Sequence, residues 1–139
     1  MDSLVTGLFY GEPAGTFSDG HIFARAPELD GARADPALGY WHCDIADHDR
    51  LTWSEKVYDL FGLSTGDPVE RDWAVARYSE HSRNALKKVR NYALGHKFGF
   101  ILDAEISHEA AATRWIRVLA VPIVEANRVV GLHGLKRSL

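Results

Sequence analysis

The chain has 139 residues, a length typical of one domain that can bury its own hydrophobic core. Its hydrophobic share of 46% and its charged share of 25% are average for soluble globular proteins. The net charge of −3 excludes a globally basic nucleic-acid-binding protein. A single cysteine excludes an internal disulfide and fits a reducing compartment.

The N-terminus carries no secretory signal, because Asp2 stands where a basic region would be and glycines break the short apolar run that follows. The longest uncharged apolar run elsewhere covers residues 118–124 and is far too short to cross a membrane. We therefore expect a cytoplasmic protein that binds neither nucleic acid nor a membrane.

Residues 1–37 differ in composition from the rest of the chain. They hold five of the twelve glycines and three of the five prolines, and acidic residues outnumber basic ones there. Apolar side chains such as Leu8, Phe9 and Phe17 nevertheless favour burial. We predict an irregular leader over residues 1–37, which packs on the sheet or on a partner, and a domain over residues 38–139.

Residues 39–63 predict a β-hairpin followed by a short capped helix. Every second residue from 41 to 45 is apolar, which is strand periodicity, and the polar residues 46–50 supply the turn. Ser54 stands at the N-cap of the helix, and Gly62 stands where its C-cap is expected.

A longer helix is predicted from about residue 80 to 94, with Gly95 ending it. Its apolar stripe faces the core, whereas charged residues including Arg90 face water. Strands joined by hairpins follow at about residues 98–106, 114–123 and 128–135. Together with the opening hairpin they form a five-stranded antiparallel sheet with helices on one face, which is an α+β fold.

The order and residues of these elements resemble a PAS domain of the subgroup with a tryptophan-rich start. Residues 39–44 (GYWHCD) resemble the family's G-x-W-x-W-D opening, and residues 51–54 (LTWS) with 60–62 (LFG) resemble its T-W-S…L-F-G segment. Residues 78–83, 95–106 and 114–122 resemble the start of its long helix and its next two strands. No single motif is specific, but five in the right order are hard to obtain by chance.

The resemblance implies a ligand pocket between the sheet and the long helix. That pocket would be lined by Cys43, Phe61, Val89, Tyr92, Leu102 and Val118. Because all these residues are apolar or aromatic, a core filled by side chains, without a ligand, is the alternative. Cys43 replaces a bulky tryptophan of the family's opening, which leaves room for a ligand or for the ring of Tyr92.

The cofactor stays unknown, and the residues argue against heme and flavin. The flavin-binding photosensors of the family need a reactive cysteine in the helix before the long one, whereas Cys43 lies on the first strand. An axial heme histidine would have to point inward from the long helix, but His81 and His96 stand at its two ends. The histidines of the first hairpin form no closed ligand set, so no metal site is predicted.

The strand after residue 114 is apolar on both sides, although the family commonly directs charged residues to water there. Since the helices cover one side, the other side needs a cover of its own. We predict that it is a dimer or partner face formed by Trp115, Leu119, Val121 and Ile123. We also expect Glu105 and Arg117 to pair across adjacent strands on that side.

The leading hypothesis is a non-catalytic sensory or signalling PAS domain of the bacterial type. It would act in trans, as a homodimer or through a signalling partner such as a histidine kinase, because residues 134–139 lack the Asp-Ile-Thr ending that leads into an effector. A small molecule would gate it. The alternatives are a ligand-free protein-interaction module and a small enzyme, which would need Asp103 or His133 inside the cavity.

Overall fold

The computed structural model describes residues 6–10, 38–107 and 113–139. In these residues the strands are β1 (Thr6–Tyr10), β2 (Gly39–Asp44), β3 (Arg50–Trp53), β4 (Phe98–Ile106), β5 (Arg114–Glu125) and β6 (Arg128–Ser138). The α-helices are α1 (Glu55–Phe61), α2 (Arg71–Ala76) and α3 (Glu80–His96), and a short 3-10 helix covers Ile45–Asp47.

The strands form one antiparallel sheet in the order β1-β4-β5-β6-β2-β3. The predicted α+β fold, with five antiparallel strands and helices on one face, is confirmed. β1 adds a sixth strand, which pairs with β4 from Thr6 opposite Leu102 to Tyr10 opposite Phe98. The prediction that residues 6–10 are irregular is therefore wrong. The glycine inside this short run weakens the sequence pattern that would indicate a strand. Residues 11–37 lie outside the described part, so packing of the leader on the sheet or on a partner stays a prediction.

The two ends of the first helix are held in different ways. Gly62 has φ 73° and ends α1 as predicted, because glycine adopts this left-handed conformation without strain. The Ser54 hydroxyl does not cap the helix but accepts a hydrogen bond from the Tyr40 backbone N–H at 2.8 Å. This bond ties the start of α1 directly to β2.

Helix α3 is longer than its sequence pattern predicts. Ser79 caps its start, with the hydroxyl oxygen accepting a hydrogen bond from the Ser82 N–H at 3.4 Å. The helix continues through Gly95, and Lys97 ends it in a left-handed conformation with φ 60°. The predicted stop at Gly95 is therefore wrong. The two additional residues include His96, whose ring lies close to that of Tyr92, four residues earlier.

The main core lies between the helices and one face of the sheet, which we call the inner face. Buried inner-face residues are Trp41, Cys43, Phe100, Leu102, Ala104, Ile116, Val118, Ala120 and Leu132. Phe61 of α1 stacks on Trp53 of β3, with ring centroids 4.7 Å apart. The opposite, outer face carries Ile101, Leu119 and Val121, which are also buried but lie outside this core cluster. The sheet is thus covered on both sides in its central strands.

Candidate functional site

A cavity opens between the inner face of the sheet and helices α2 and α3. The cavity and its mouth enclose about 530 Å³ free of protein atoms, of which about 60 Å³ can hold the centre of a water molecule. A single buried water needs roughly 10–15 Å³ by that measure, so several waters or a small organic molecule fit. The lining residues are Trp41, Cys43, Leu51, Trp53, Arg71, Ala74, Val75, Tyr78, Leu86, Arg90, Phe100, Val118, Leu132 and Lys136.

The wall on the sheet side is mainly aromatic and aliphatic. Trp41 and Trp53 face each other across β2 and β3 as register partners. The Trp41 indole N–H donates a hydrogen bond to the Leu135 carbonyl at 3.3 Å, which fixes the ring against β6. A wall of this kind favours the apolar part of a ligand.

Lys136 lies inside this wall. It pairs with Val118 in the sheet and shares the inward phase of Leu132 and Gly134 on β6, so the alternation of the strand directs its side chain into the core. Only 8% of the residue is exposed. Its Nζ lies 4.9 Å from the ring centroid of Phe61 and 5.3 Å, 5.7 Å and 5.8 Å from those of Trp41, Trp53 and Tyr78.

This burial changes the acid–base behaviour of the lysine. Removal from water lowers the pKa of Lys136 to about 7, and the positive charge of Arg71 acts in the same direction. The ring faces attract the ammonium group and offset part of the desolvation cost. Lys136 therefore changes charge close to neutral pH, which an exposed lysine does not do.

Two arginines complete the polar part of the cavity. Arg90 on α3 donates to Asp49 Oδ1 from Nη2 at 3.1 Å, and its side chain is only 14% exposed. Asp49 is placed by the turn between β2 and β3, where it adopts φ 59°. On α2, burial lowers the pKa of Arg71, and the nearby Arg90 charge lowers it further.

Cys43 sits beside the same carboxylate. Its thiol lies 3.6 Å from Asp49 Oδ1 and donates a hydrogen bond to it. Burial raises the pKa of Cys43, and the Asp49 charge acts in the same direction. The thiol is therefore protonated at neutral pH. Burial also raises the pKa of Tyr78, so that its hydroxyl is uncharged in the cavity.

The structure brings only part of the predicted pocket together. Cys43 and Val118 line the cavity. Phe61, Val89 and Leu102 are buried in the core without lining it. Tyr92 does not point inward as we expected, because it is 44% exposed and stacks on His96 with ring centroids 4.0 Å apart. The space left by Cys43 is thus not filled by Tyr92.

The residues that sequence reasoning missed are the three cations Arg71, Arg90 and Lys136. Arg90 was assigned to the water-facing side of its helix, and that assignment is wrong. The alternation of the last strand places residue 136 on the same side as residues 132 and 134, and this pattern predicts an inward position for Lys136. We did not draw that prediction because a charged side chain normally indicates a surface position.

On the outer face, the predicted interaction residues differ in burial. Leu119 and Val121 are 7% and 3% exposed, whereas Trp115 and Ile123 are half-buried. Arg117 pairs with Asp103 and not with Glu105 as predicted, because Asp103 is its register partner on β4. Arg117 donates from Nε to Asp103 Oδ1 at 2.7 Å and from Nη2 to Oδ2 at 2.9 Å. That this face binds a second subunit or a partner stays a prediction.

Two further features bear on other classes of site. Within the described residues no group of three or more His, Cys, Asp or Glu side chains is arranged to hold a metal ion. The helices of the same part of the chain include none that is long and apolar enough to cross a membrane. Asp103 and His133 lie on the outer face, where Tyr40 and His133 are joined by a hydrogen bond of 2.9 Å between Oη and Nδ1.

Comparison with solved structures identifies the fold. The N-terminal domain of a diguanylate cyclase with a PAS/PAC sensor from Marinobacter aquaeolei matches with a TM-score of 0.65 and 13% identity, over 73% of this chain and 94% of that one. A sensory box histidine kinase/response regulator from Burkholderia thailandensis matches with a TM-score of 0.64 and 12% identity, over 80% of each chain. No protein-family model and no curated protein matches the sequence.

A larger protein with the same fold is an RNA-binding light-oxygen-voltage receptor, at a TM-score of 0.64 and 17% identity. The match covers 74% of this chain but only 29% of that receptor. The chain therefore has the PAS fold, and the resemblance inferred from its sequence motifs is confirmed at the level of the fold.

Proposed function

We propose that this protein is a sensory PAS domain that responds to a small molecule in the cavity between the sheet and helices α2 and α3. The observation that carries the proposal is an open cavity with an aromatic wall, the buried cation Lys136 and the half-buried cations Arg71 and Arg90. A domain that needed only a stable core would fill this space with apolar side chains, because buried charge lowers stability.

The strands that line the cavity also form the outer face, which gives the signal a route. Val118 lines the cavity, and the next residue, Leu119, lies on the outer face. On β6, Lys136 lies inside while its neighbours Leu135 and Arg137 point outward. A ligand that displaces Lys136 therefore changes the packing of the outer face through one strand, and occupancy shifts the population of two arrangements of β5 and β6.

The output in this proposal is association in trans. The outer face with Trp115, Leu119, Val121 and Ile123 would bind a second copy of the chain or a signalling protein such as a histidine kinase. The similar domains from a diguanylate cyclase and a histidine kinase support a signalling role of this kind. The absence of Asp103 and His133 from the cavity lining disfavours the small-enzyme alternative, which asked for an acid–base pair there.

The competing function is a protein-interaction module without a ligand. Denaturing mass spectrometry of the purified protein, combined with hydrogen exchange of β5 and β6, separates the two. We expect a stoichiometric small molecule in the wild type, and slower exchange in β5 and β6 when it is bound. Ala74→Phe, which fills the cavity from α2, should lose the molecule, whereas Ala76→Phe on the exposed side of the same helix should keep it.

The proposal is overturned by a wild-type protein that carries no small molecule and whose exchange does not change on addition of a metabolite extract. That result would establish the ligand-free module.

A further inference from the structure

The cavity contains more positive than negative charge. Arg71, Arg90 and Lys136 line it, whereas the carboxylate bonded to this group is Asp49, on Arg90. Within the described part of the chain no carboxylate oxygen lies within 4.0 Å of Arg71 or Lys136. Burial is the main cause of the lowered pKa of Lys136 and of Arg71, and the charge of Arg71 adds to it at Lys136 as the charge of Arg90 does at Arg71.

The position of Lys136 is not that of a structural lysine. A buried lysine usually extends its head group to the surface along an apolar stem. Here Nζ instead lies among four aromatic rings, the residue is only 8% exposed, and none of the described residues places a carboxylate oxygen within 4.0 Å of it. A bound anion would supply the missing charge and would restore the lysine to its charged form.

The residues that line the cavity indicate which class of anion would bind there. Guanidinium groups offer planar pairs of N–H donors that match the two oxygens of a carboxylate. Trp41, Trp53, Phe100 and Leu132 leave an apolar surface that an inorganic ion would not cover. Because only about 60 Å³ can hold the centre of a water molecule, the buried part of the ligand must be small.

We propose that the cavity binds a small organic carboxylate, whose carboxylate group contacts Arg71, Arg90 and Lys136 and whose apolar part packs on the aromatic wall. This inference rests on the proposed sensor function and names the chemical class of its ligand. It is independent of which protein the outer face binds.

Proton linkage gives the proposal a signature that a purely apolar ligand lacks. Lys136 is largely neutral above pH 7 in the free protein, so a carboxylate that needs its charge must bind together with a proton. The facing titratable groups, the Cys43 thiol and the Tyr78 hydroxyl, stay protonated in this range because burial raises the pKa of both. Affinity should therefore be constant below pH 7 and fall up to tenfold per pH unit above it.

The test is isothermal titration of the full chain with matched pairs of probes, after removal of any co-purified molecule by partial unfolding and refolding. Butyrate and benzoate are compared with butyramide and benzamide, which have the same shape without the charge, and with inorganic phosphate. We expect each carboxylate to bind at least tenfold more tightly than its amide and than phosphate. Lys136→Met should weaken carboxylate binding at least tenfold at pH 6.5 and abolish its pH dependence.

Two control variants show that the effect belongs to the cavity. Arg137→Met removes the next cation along β6, and Lys87→Gln removes an exposed cation from α3. Both should leave the affinity unchanged, while Arg71→Gln should weaken carboxylate binding as Lys136→Met does.

Equal binding of carboxylates and amides, or tighter binding of phosphate, overturns the inference. A neutral molecule found by mass spectrometry in the wild-type cavity also overturns it but leaves the sensor function intact. A cavity that binds no probe and carries no co-purified molecule overturns both.

Discussion

Lys136 shows how one side chain can make a fold sensitive to its conditions. Its head group is enclosed by Trp41, Trp53, Phe61 and Tyr78, yet it keeps enough attraction from their rings to remain in place. The lysine costs stability when it is charged, because its solvation by water is lost. Lys136 therefore lowers the stability of the fold and also provides a group that titrates near pH 7.

Lys136→Met should remove that cost. The folded-state pKa is about 7, below the value near 10.4 of an unfolded chain, so between these values the unfolded state binds a proton that the folded state lacks. The free energy of unfolding of the wild type should thus rise with pH above 7, by about 2 kcal/mol up to pH 8.5 relative to the variant. Urea denaturation at pH 6.5, 7.5 and 8.5, with Arg137→Met as control, measures the difference. Parallel curves for wild type and Lys136→Met would contradict the depressed pKa.

The ion pair between Asp103 and Arg117 can also be tested by substitution. The Asp103 side chain is 1% exposed and accepts both hydrogen bonds from the guanidinium of Arg117, whose side chain is 30% exposed. Asp103→Asn removes the negative charge from this bidentate pair and should cost about 1–3 kcal/mol of unfolding free energy. Glu105→Gln, two residues along the same strand and opposite Trp115, should cost less than about 0.5 kcal/mol. Equal costs would show that the bidentate pair contributes nothing specific.

At the scale of elements, the close contact of β5 and β6 limits what the sheet can tolerate. Gly134 lies opposite Ala120, and a Cβ atom at this position would collide with the backbone carbonyl of Leu119. The two strands are thus in contact at their backbones where the cavity wall meets the outer face. This contact supports the idea that a shift in one strand moves the other.

Gly134→Ala should separate the strands and lower the free energy of unfolding by about 3 kcal/mol or more, because backbone atoms cannot rotate out of the way. Gly95→Ala is the matched control, since it lies in α3 and nothing lies within 4 Å of a Cβ placed there. It should raise stability by about 0.5–1 kcal/mol through the helix preference of alanine. Thermal unfolding of both variants measures these effects, and a stable Gly134→Ala protein would refute the steric argument.

Some of this fold follows directly from sequence patterns. In β4 the alternation of Phe100, Leu102 and Ala104 with Asp103 and Glu105 assigns the inner and outer faces correctly. The partner of Arg117 could not be predicted from this alternation, because it depends on the register between β4 and β5. A register error of two residues keeps both faces correct but replaces Asp103 by Glu105 as the partner.

The cavity was harder to predict because it combines residues that sequence patterns place on the surface. Arg90 follows the buried Val89 on α3 and turns inward only because Asp49, on the β2–β3 turn, lies within reach. Tyr92 is apolar enough for the core but leaves it to stack on His96. Both outcomes depend on contacts between segments far apart in the chain or just beyond a predicted helix end, and periodicity carries no information on them.

At the scale of the whole molecule, the outer face is where association is expected. Leu119 and Val121 are already buried in the single chain, so the half-buried Trp115 and Ile123 are the residues that a second copy would contact. This division separates the part of the face that stabilises the fold from the part available for binding.

The double variant Trp115→Glu with Ile123→Lys should convert a dimer to a folded monomer, because charged residues in an apolar interface lose their solvation. Analytical ultracentrifugation measures the mass, and circular dichroism verifies the fold. Tyr92→Glu, which changes an exposed aromatic residue on the helical side, should leave the dimer intact. A wild type that is monomeric at high concentration, or a double variant that stays dimeric, would contradict the assignment of this face.

The two borders of the sheet restrict how molecules of this protein can join. Among the described residues, one border is β1, with five residues, and the other is β3, with four, while the long strands β5 and β6 lie in the interior. Short border strands offer few free backbone groups to an incoming strand, which is a common protection against cross-β aggregation. Growth of fibrils through the sheet border is therefore disfavoured, so the association proposed for the outer face would not lead to polymerisation through that border.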